Sequence, residues 1–66
     1  MTASVLQAFN KDGQSVGFYT GKTSHSWVDL SETEAFIMGA GEAVRKAVLF
    51  NGYSVLTGLT FEAIQK

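Results

Sequence analysis

Few residues of this chain have the types and spacing that phosphate binding requires. Gly21-Lys22-Thr23 has the residue types that end a P-loop, but three residues separate Gly17 from Gly21 where that motif needs four. Gly39-Ala40-Gly41 could present backbone N–H groups to an anion at a helix start. It lacks the third glycine and the βαβ unit of a dinucleotide site. The simpler interpretations are a polar loop and a tight turn.

The single histidine is the other residue that could do chemistry, and it lies in Ser24-His25-Ser26. A nucleophile needs a base within hydrogen-bond reach and a third group that orients the base. Asp29 could orient His25 only if this loop coiled. The same pair would supply two metal ligands where catalytic zinc takes three. We therefore predict no catalytic residue, no metal site, no cofactor and no enzymatic activity.

The N-terminal third of the chain predicts a β-hairpin. Two β-prone segments, Thr2 to Asn10 and Gln14 to Thr20, flank a short loop that ends in Asp12-Gly13. Gly13 would supply the positive φ that the turn needs. Residues 21–26 are polar and small and indicate a loop, and Trp27 to Leu30 is a short apolar strand or loop anchor.

The middle of the chain allows two interpretations. Ser31-Glu32-Thr33-Glu34 has capping-box spacing, so one helix could run from Glu32 to Phe50. Gly39 and Gly41 would then lie inside it, at a cost of roughly 1 kcal/mol each. We favour a third strand over Glu34 to Met38, a turn at 39–41, and a shorter helix.

That helix is predicted from Gly41 to Asn51, with an apolar stripe on one side and a Gly52 stop signal. The stripe contains Ala43, Val44, Ala47, Val48 and Phe50. Tyr53 to Leu56 could be strand or a further helical turn, and residues 59–64 predict a closing strand. The expected fold is one α+β domain over residues 1–66, a small antiparallel sheet with one helix on one face.

Composition bounds the function of the chain. Its 66 residues contain no cysteine and one histidine, so disulfides and histidine-rich metal sites cannot stabilise it. Only 17% of the residues are charged, which suggests that a partner covers some apolar surface. The net charge of −1 disfavours nucleic-acid binding. We expect no membrane span, no signal peptide and a cytoplasmic location.

Several short segments together resemble a class of very short uncharacterised proteins encoded in bacteriophage and prophage genomes. The resemblance covers about residues 18–64. It implies a strand over 34–38, a helix that begins near Gly41, and a host cytoplasm; Gly52 departs from it if such proteins continue the helix to Gly58. That class has no common assigned activity, so no functional residue is carried over. The segments are Tyr19-Thr20-Gly21-Lys22, Trp27-Val28, Glu34-Ala35-Phe36, Arg45-Lys46-Ala47, Phe50-Asn51 and Gly58-Leu59-Thr60-Phe61.

The leading hypothesis is a non-enzymatic accessory or regulatory module that binds a protein and occludes part of its surface. The candidate contact residues are Phe18, Tyr19 and Trp27, with Arg45 at the rim, because aromatic residues and arginine are enriched in binding hot spots. Alternatives are a nucleic-acid-binding domain that uses the sheet face and Arg45-Lys46, with Lys22 nearby, and a structural homo-oligomer such as a homodimer.

Overall fold

The described part of the chain forms an antiparallel sheet with a helix on one face, as the sequence predicts, and this sheet has five strands. The computed structural model describes residues 3–22 and 27–65. Its elements in chain order are β1 (Ala3–Phe9), β2 (Ser15–Tyr19), β3 (Val28–Asp29), one 3-10 turn (Glu32–Glu34), β4 (Met38–Gly39), α1 (Ala40–Asn51), α2 (Ser54–Thr57) and β5 (Thr60–Gln65).

The predicted hairpin is confirmed as β1 and β2. The Asn10 side-chain oxygen accepts hydrogen bonds from the backbone N–H groups of Asp12 at 2.9 Å and Gln14 at 3.0 Å. Gly13 has a φ of 80°, which a residue with a side chain rarely adopts. Local side-chain bonds and one glycine therefore close the turn without help from the rest of the fold.

Strand β1 lies at the centre of the sheet. β5 pairs with one edge of β1 over Ser4 to Phe9. On the other edge, β2 pairs with Gln7 to Phe9, and β4 pairs with Ala3 and Ser4. β3 extends the sheet beyond β2.

Gly17 allows the close approach of β2 and β3. Its φ is 141°, and a Cβ atom placed on it would lie 2.4 Å from the carbonyl oxygen of Asp29. No side chain fits at that distance, so this position in β2 requires glycine.

The segment before α1 differs from the predicted third strand. Glu34 ends the 3-10 turn, and only Met38–Gly39 pairs with β1. The strand β4 is short because it can pair with β1 only beyond the point where β2 leaves β1. At that point the Phe36 N–H donates a 2.8 Å hydrogen bond to the carbonyl of Tyr19, near the end of β2. Ser31 makes no side-chain cap, and its hydroxyl bonds Thr33 instead, at 2.6 Å.

Helix α1 confirms the shorter of the two predicted helices. It begins at Ala40, directly after the extended Gly39 (φ −68°, ψ 154°), so residues 39–41 do not form a separate turn. It ends at Asn51, as predicted. The following residues form the helical turn α2, and β5 closes the sheet one residue later than the predicted strand.

The core lies between α1 and the sheet. Ala43 and Ala47 are the buried residues of α1, and they pack against Leu6, Ala8 and Phe61. Alanine side chains are short, so the helix can approach the strands closely. The predicted apolar stripe of α1 was too wide, because Val44 and Val48 lie outside this core and are exposed.

Candidate functional site

Aromatic side chains fill the core at the C-terminal end of α1. The Phe50 ring lies 5.0 Å from Tyr19, 6.0 Å from Trp27 and 5.1 Å from Phe61, centroid to centroid. Trp27 also lies 5.5 Å from Phe61. Edge-on and tilted arrangements at these distances are favourable aromatic contacts. This cluster therefore joins β2, β5 and the segment at Trp27 to the helix.

The structure does not bring the four predicted contact residues onto one surface. Tyr19 and Trp27 are half-buried and pack against the core through Phe50. Phe18 precedes Tyr19 in β2, so its side chain points to the opposite face of the sheet. Arg45 is exposed on α1. Their role in binding stays a prediction.

Most of the exposed apolar side chains lie in a different place, on the two helices. Among the residues that the structure describes, nine large apolar ones are exposed, and six of these lie between Val44 and Leu56. Val55 is 93% exposed and Leu56 is 82% exposed, while the other four are between 53% and 69% exposed. We call these six the helical apolar surface: Val44, Val48, Leu49, Tyr53, Val55 and Leu56.

This surface arises because α1 carries apolar residues on more than one side. The alanines face the sheet, and Val44 and Val48 follow them by one position along the helix. One position is a rotation of about 100°, which turns these valines away from the sheet. Sequence reasoning missed the surface because it assigned alanines and valines to one buried stripe. The sequence signal for this surface was the width of the apolar stripe of α1. A helix that is apolar on several sides is normally packed against other structure on each of those sides.

Asn51 connects the end of α1 to the outer edge of β5. Its Oδ1 accepts a hydrogen bond from the Phe61 N–H at 2.7 Å, and its Nδ2 donates one to the Phe61 carbonyl at 3.1 Å. These two groups of Phe61 therefore point away from β1. Asn51 thus occupies the place that a neighbouring strand would take.

The charged residues of α1 line a shallow groove. Glu42, Arg45, Lys46 and Leu49 surround a volume of about 240 Å³ on the exposed side of the helix. The acidic and basic side chains occur together there, so the groove does not present a purely basic stripe of the kind that binds a nucleic-acid backbone.

The remaining candidate sites have limited support. Within residues 3–22 and 27–65, no three potential metal ligands are grouped together. Ser24-His25-Ser26 and Thr23 lie outside the described residues, and so does the proposed pairing of His25 with Asp29. In the same described ranges, neither helix is long and apolar enough to cross a bilayer.

The chain was compared with known proteins by sequence and by structure. No protein-family model matches it, and no curated protein or solved structure matches it either.

Proposed function

We propose that this chain is a non-enzymatic, cytoplasmic protein-binding module that covers part of a partner protein with its helical apolar surface. The exposure of Val55 and Leu56 is the observation that carries the proposal. Exposed apolar side chains that lie close together are typical of interaction sites, and Val55 and Leu56 are neighbours along the chain.

The composition of the surface supports a protein partner. Its six members are Tyr53 and five branched aliphatic residues, and apolar side chains of this kind form the desolvated centre of protein interfaces. Glu42, Arg45 and Lys46 line a groove together with Leu49, and polar residues of this kind are expected in the rim of a protein interface. Binding by occlusion needs only such a surface, with no reacting group.

Site-specific photo-cross-linking tests the proposal. A photo-reactive amino acid at Val55 should cross-link a discrete protein in a cytoplasmic extract. The same amino acid at Gln14, exposed in the hairpin turn, is the matched control. After the captured protein is identified and purified, Val55→Ser should weaken its binding at least ten-fold with an unchanged far-UV circular dichroism spectrum. Equal labelling at both positions, or none at Val55, would count against the proposal.

The nucleic-acid alternative depends on Arg45 and Lys46. It predicts a gel shift at low salt that weakens steeply as salt is raised. A shift abolished by Arg45→Gln but unaffected by Val55→Ser would favour that alternative over protein binding. The resemblance to small phage proteins likewise stays a prediction.

A further inference from the structure

The outer edge of β5 carries backbone groups that could pair with another strand. Phe61 points its N–H and C=O outward to Asn51. In an antiparallel ladder the backbone N–H and C=O groups of every second residue point to the same side of the strand. The N–H and C=O groups of Ala63 and Gln65 therefore also point outward, away from β1. Within residues 3–22 and 27–65, Asn51 covers the edge only at Phe61, which leaves a short edge from Ala63 to Gln65 for pairing.

An uncharged stripe of α1 lies on the side of this edge. Val48 and Val44 are three and seven residues before Asn51, so they share its side of the helix. Ala40 and Gly41 continue the same side toward the N-terminus, and we call these four residues the α1 stripe. Because the Asn51 side chain reaches the outer edge of β5, the α1 stripe faces that direction too. It contains no charged residue, whereas Glu42, Arg45 and Lys46 lie elsewhere around the helix.

We propose that a second copy of this chain pairs its β5 antiparallel with this edge, about a two-fold axis at Ile64, and that the two α1 stripes cover each other. The inference rests on the proposed function, since it names the partner for one part of the helical apolar surface. In this register Ala63 of each copy is opposite Gln65 of the other, and their outward N–H and C=O groups form hydrogen bonds in both directions.

The dimensions of the fold suit this arrangement. Helix α1 contacts both β1 and β5. With α1 midway over these two strands, the two helices of the dimer would lie about two strand spacings apart, roughly 9–10 Å. Packed helices are usually 8–10 Å apart.

The axis also falls at the correct level along α1. Ile64 lies three residues beyond Phe61, about 10 Å along the strand, and about seven residues of helix span the same length. Seven residues before Asn51 is Val44. Val44 would therefore face its own copy across the axis, and Val48 would lie over the small Ala40 and Gly41 of the second copy.

Charge and surface area favour a second copy over an unrelated partner. The net charge of −1 gives two copies little mutual repulsion. The accessible surface is 4415 Å², where a 7.1 kDa monomer is expected to expose about 4,100 Å². The difference between these two areas is about 300 Å², and a standard interface covers more than that, about 800 Å² per copy. A chain of this size without disulfides commonly gains stability by association.

Solution mass provides the first test. Sedimentation over a concentration range up to about 1 mM should show a species of twice 7.1 kDa. Val44→Glu places two like charges at the axis, and Ala63→Pro removes an outward N–H without removing a bond to β1. Each should weaken dimerisation at least 100-fold. Val55→Glu, off the α1 stripe, is the control and should change it less than three-fold.

A disulfide tests the register, because the chain has no natural cysteine. Ile64 would face Ile64 of the second copy at a Cα separation of about 4.5 Å, which a disulfide can span. I64C should therefore cross-link rapidly on oxidation. E62C is the control, because this register separates the two copies of position 62 by about 13 Å along the strands.

The outcomes separate this inference from the proposed function. Rapid I64C cross-linking without E62C cross-linking supports the dimer. A dimer in which I64C does not cross-link overturns the register. A monomer at every concentration whose Val55 cross-linker still captures another protein overturns only the dimer. A monomer that captures nothing overturns both proposals.

Discussion

Asn51→Ala should destabilise the fold through the edge of β5. The substitution removes two hydrogen bonds, of 2.7 and 3.1 Å, between the Asn51 amide and the main chain of Phe61. Each bond is expected to contribute about 0.5–1.5 kcal/mol, so the loss is about 1–3 kcal/mol. Alanine is a better helix former than asparagine by up to about 0.7 kcal/mol. The net decrease in the free energy of unfolding should therefore be about 1–2 kcal/mol.

This decrease is large for a chain of 66 residues. At about 0.05–0.15 kcal/mol per residue, the whole fold is stable by roughly 3–10 kcal/mol. A loss of 1–2 kcal/mol should lower Tm by about 4–16 °C. Urea denaturation at a protein concentration where sedimentation shows only the monomer measures the effect without a contribution from association.

Hydrogen exchange supplies an internal control for the same variant. The Phe61 N–H bonds Asn51, whereas the Glu62 N–H points toward Gln7 in the ladder with β1. Asn51→Ala should remove the protection of the Phe61 amide and leave the Glu62 amide protected. An unchanged urea midpoint together with a protected Phe61 amide would refute the role assigned to Asn51.

Three further substitutions test the packing. Gly17→Ala should cost about 2 kcal/mol or more, because its Cβ would meet the Asp29 carbonyl oxygen at a positive φ; an unchanged urea midpoint would contradict this. Phe50→Ala should cost about 3–5 kcal/mol, since it removes three ring contacts, and a loss of the near-ultraviolet circular dichroism signal should accompany it. Trp27→Ala should lower stability by about 1–3 kcal/mol in thermal unfolding, because the indole packs on two rings. If Trp27→Ala leaves stability unchanged but abolishes partner binding, the result would instead support the binding role that the sequence predicts for Trp27.

The parts of the fold that local interactions specify were predictable from the sequence. The turn at Gly13 closes through bonds within five residues, from Asn10 to Gln14. Helix α1 ends at Asn51, where the sequence predicts its end, although Gly52 itself keeps a helical φ of −64° and ψ of −22°. The alternating pattern near the C-terminus predicts β5 to within one residue. Each feature depends on neighbours along the chain, so periodicity and turn chemistry contain the necessary information.

Long-range packing decided what the sequence left open. Nothing in residues 34–39 shows that pairing begins only at Met38, because that limit depends on where β2 leaves β1. Tyr19 and Trp27, the aromatic residues that the sequence predicts at an interface, are half-buried and pack against Phe50 from distant parts of the chain.

The surface available for binding was likewise a result of tertiary structure. Within α1, alanines and valines are equally acceptable candidates for a buried stripe. The sheet is close enough to the helix that the alanines face it, and the valines are left exposed beside the edge of β5. The sequence alone determined that this chain has more apolar surface than a small core can bury. Only the packing distance between helix and sheet decided which residues carry that excess.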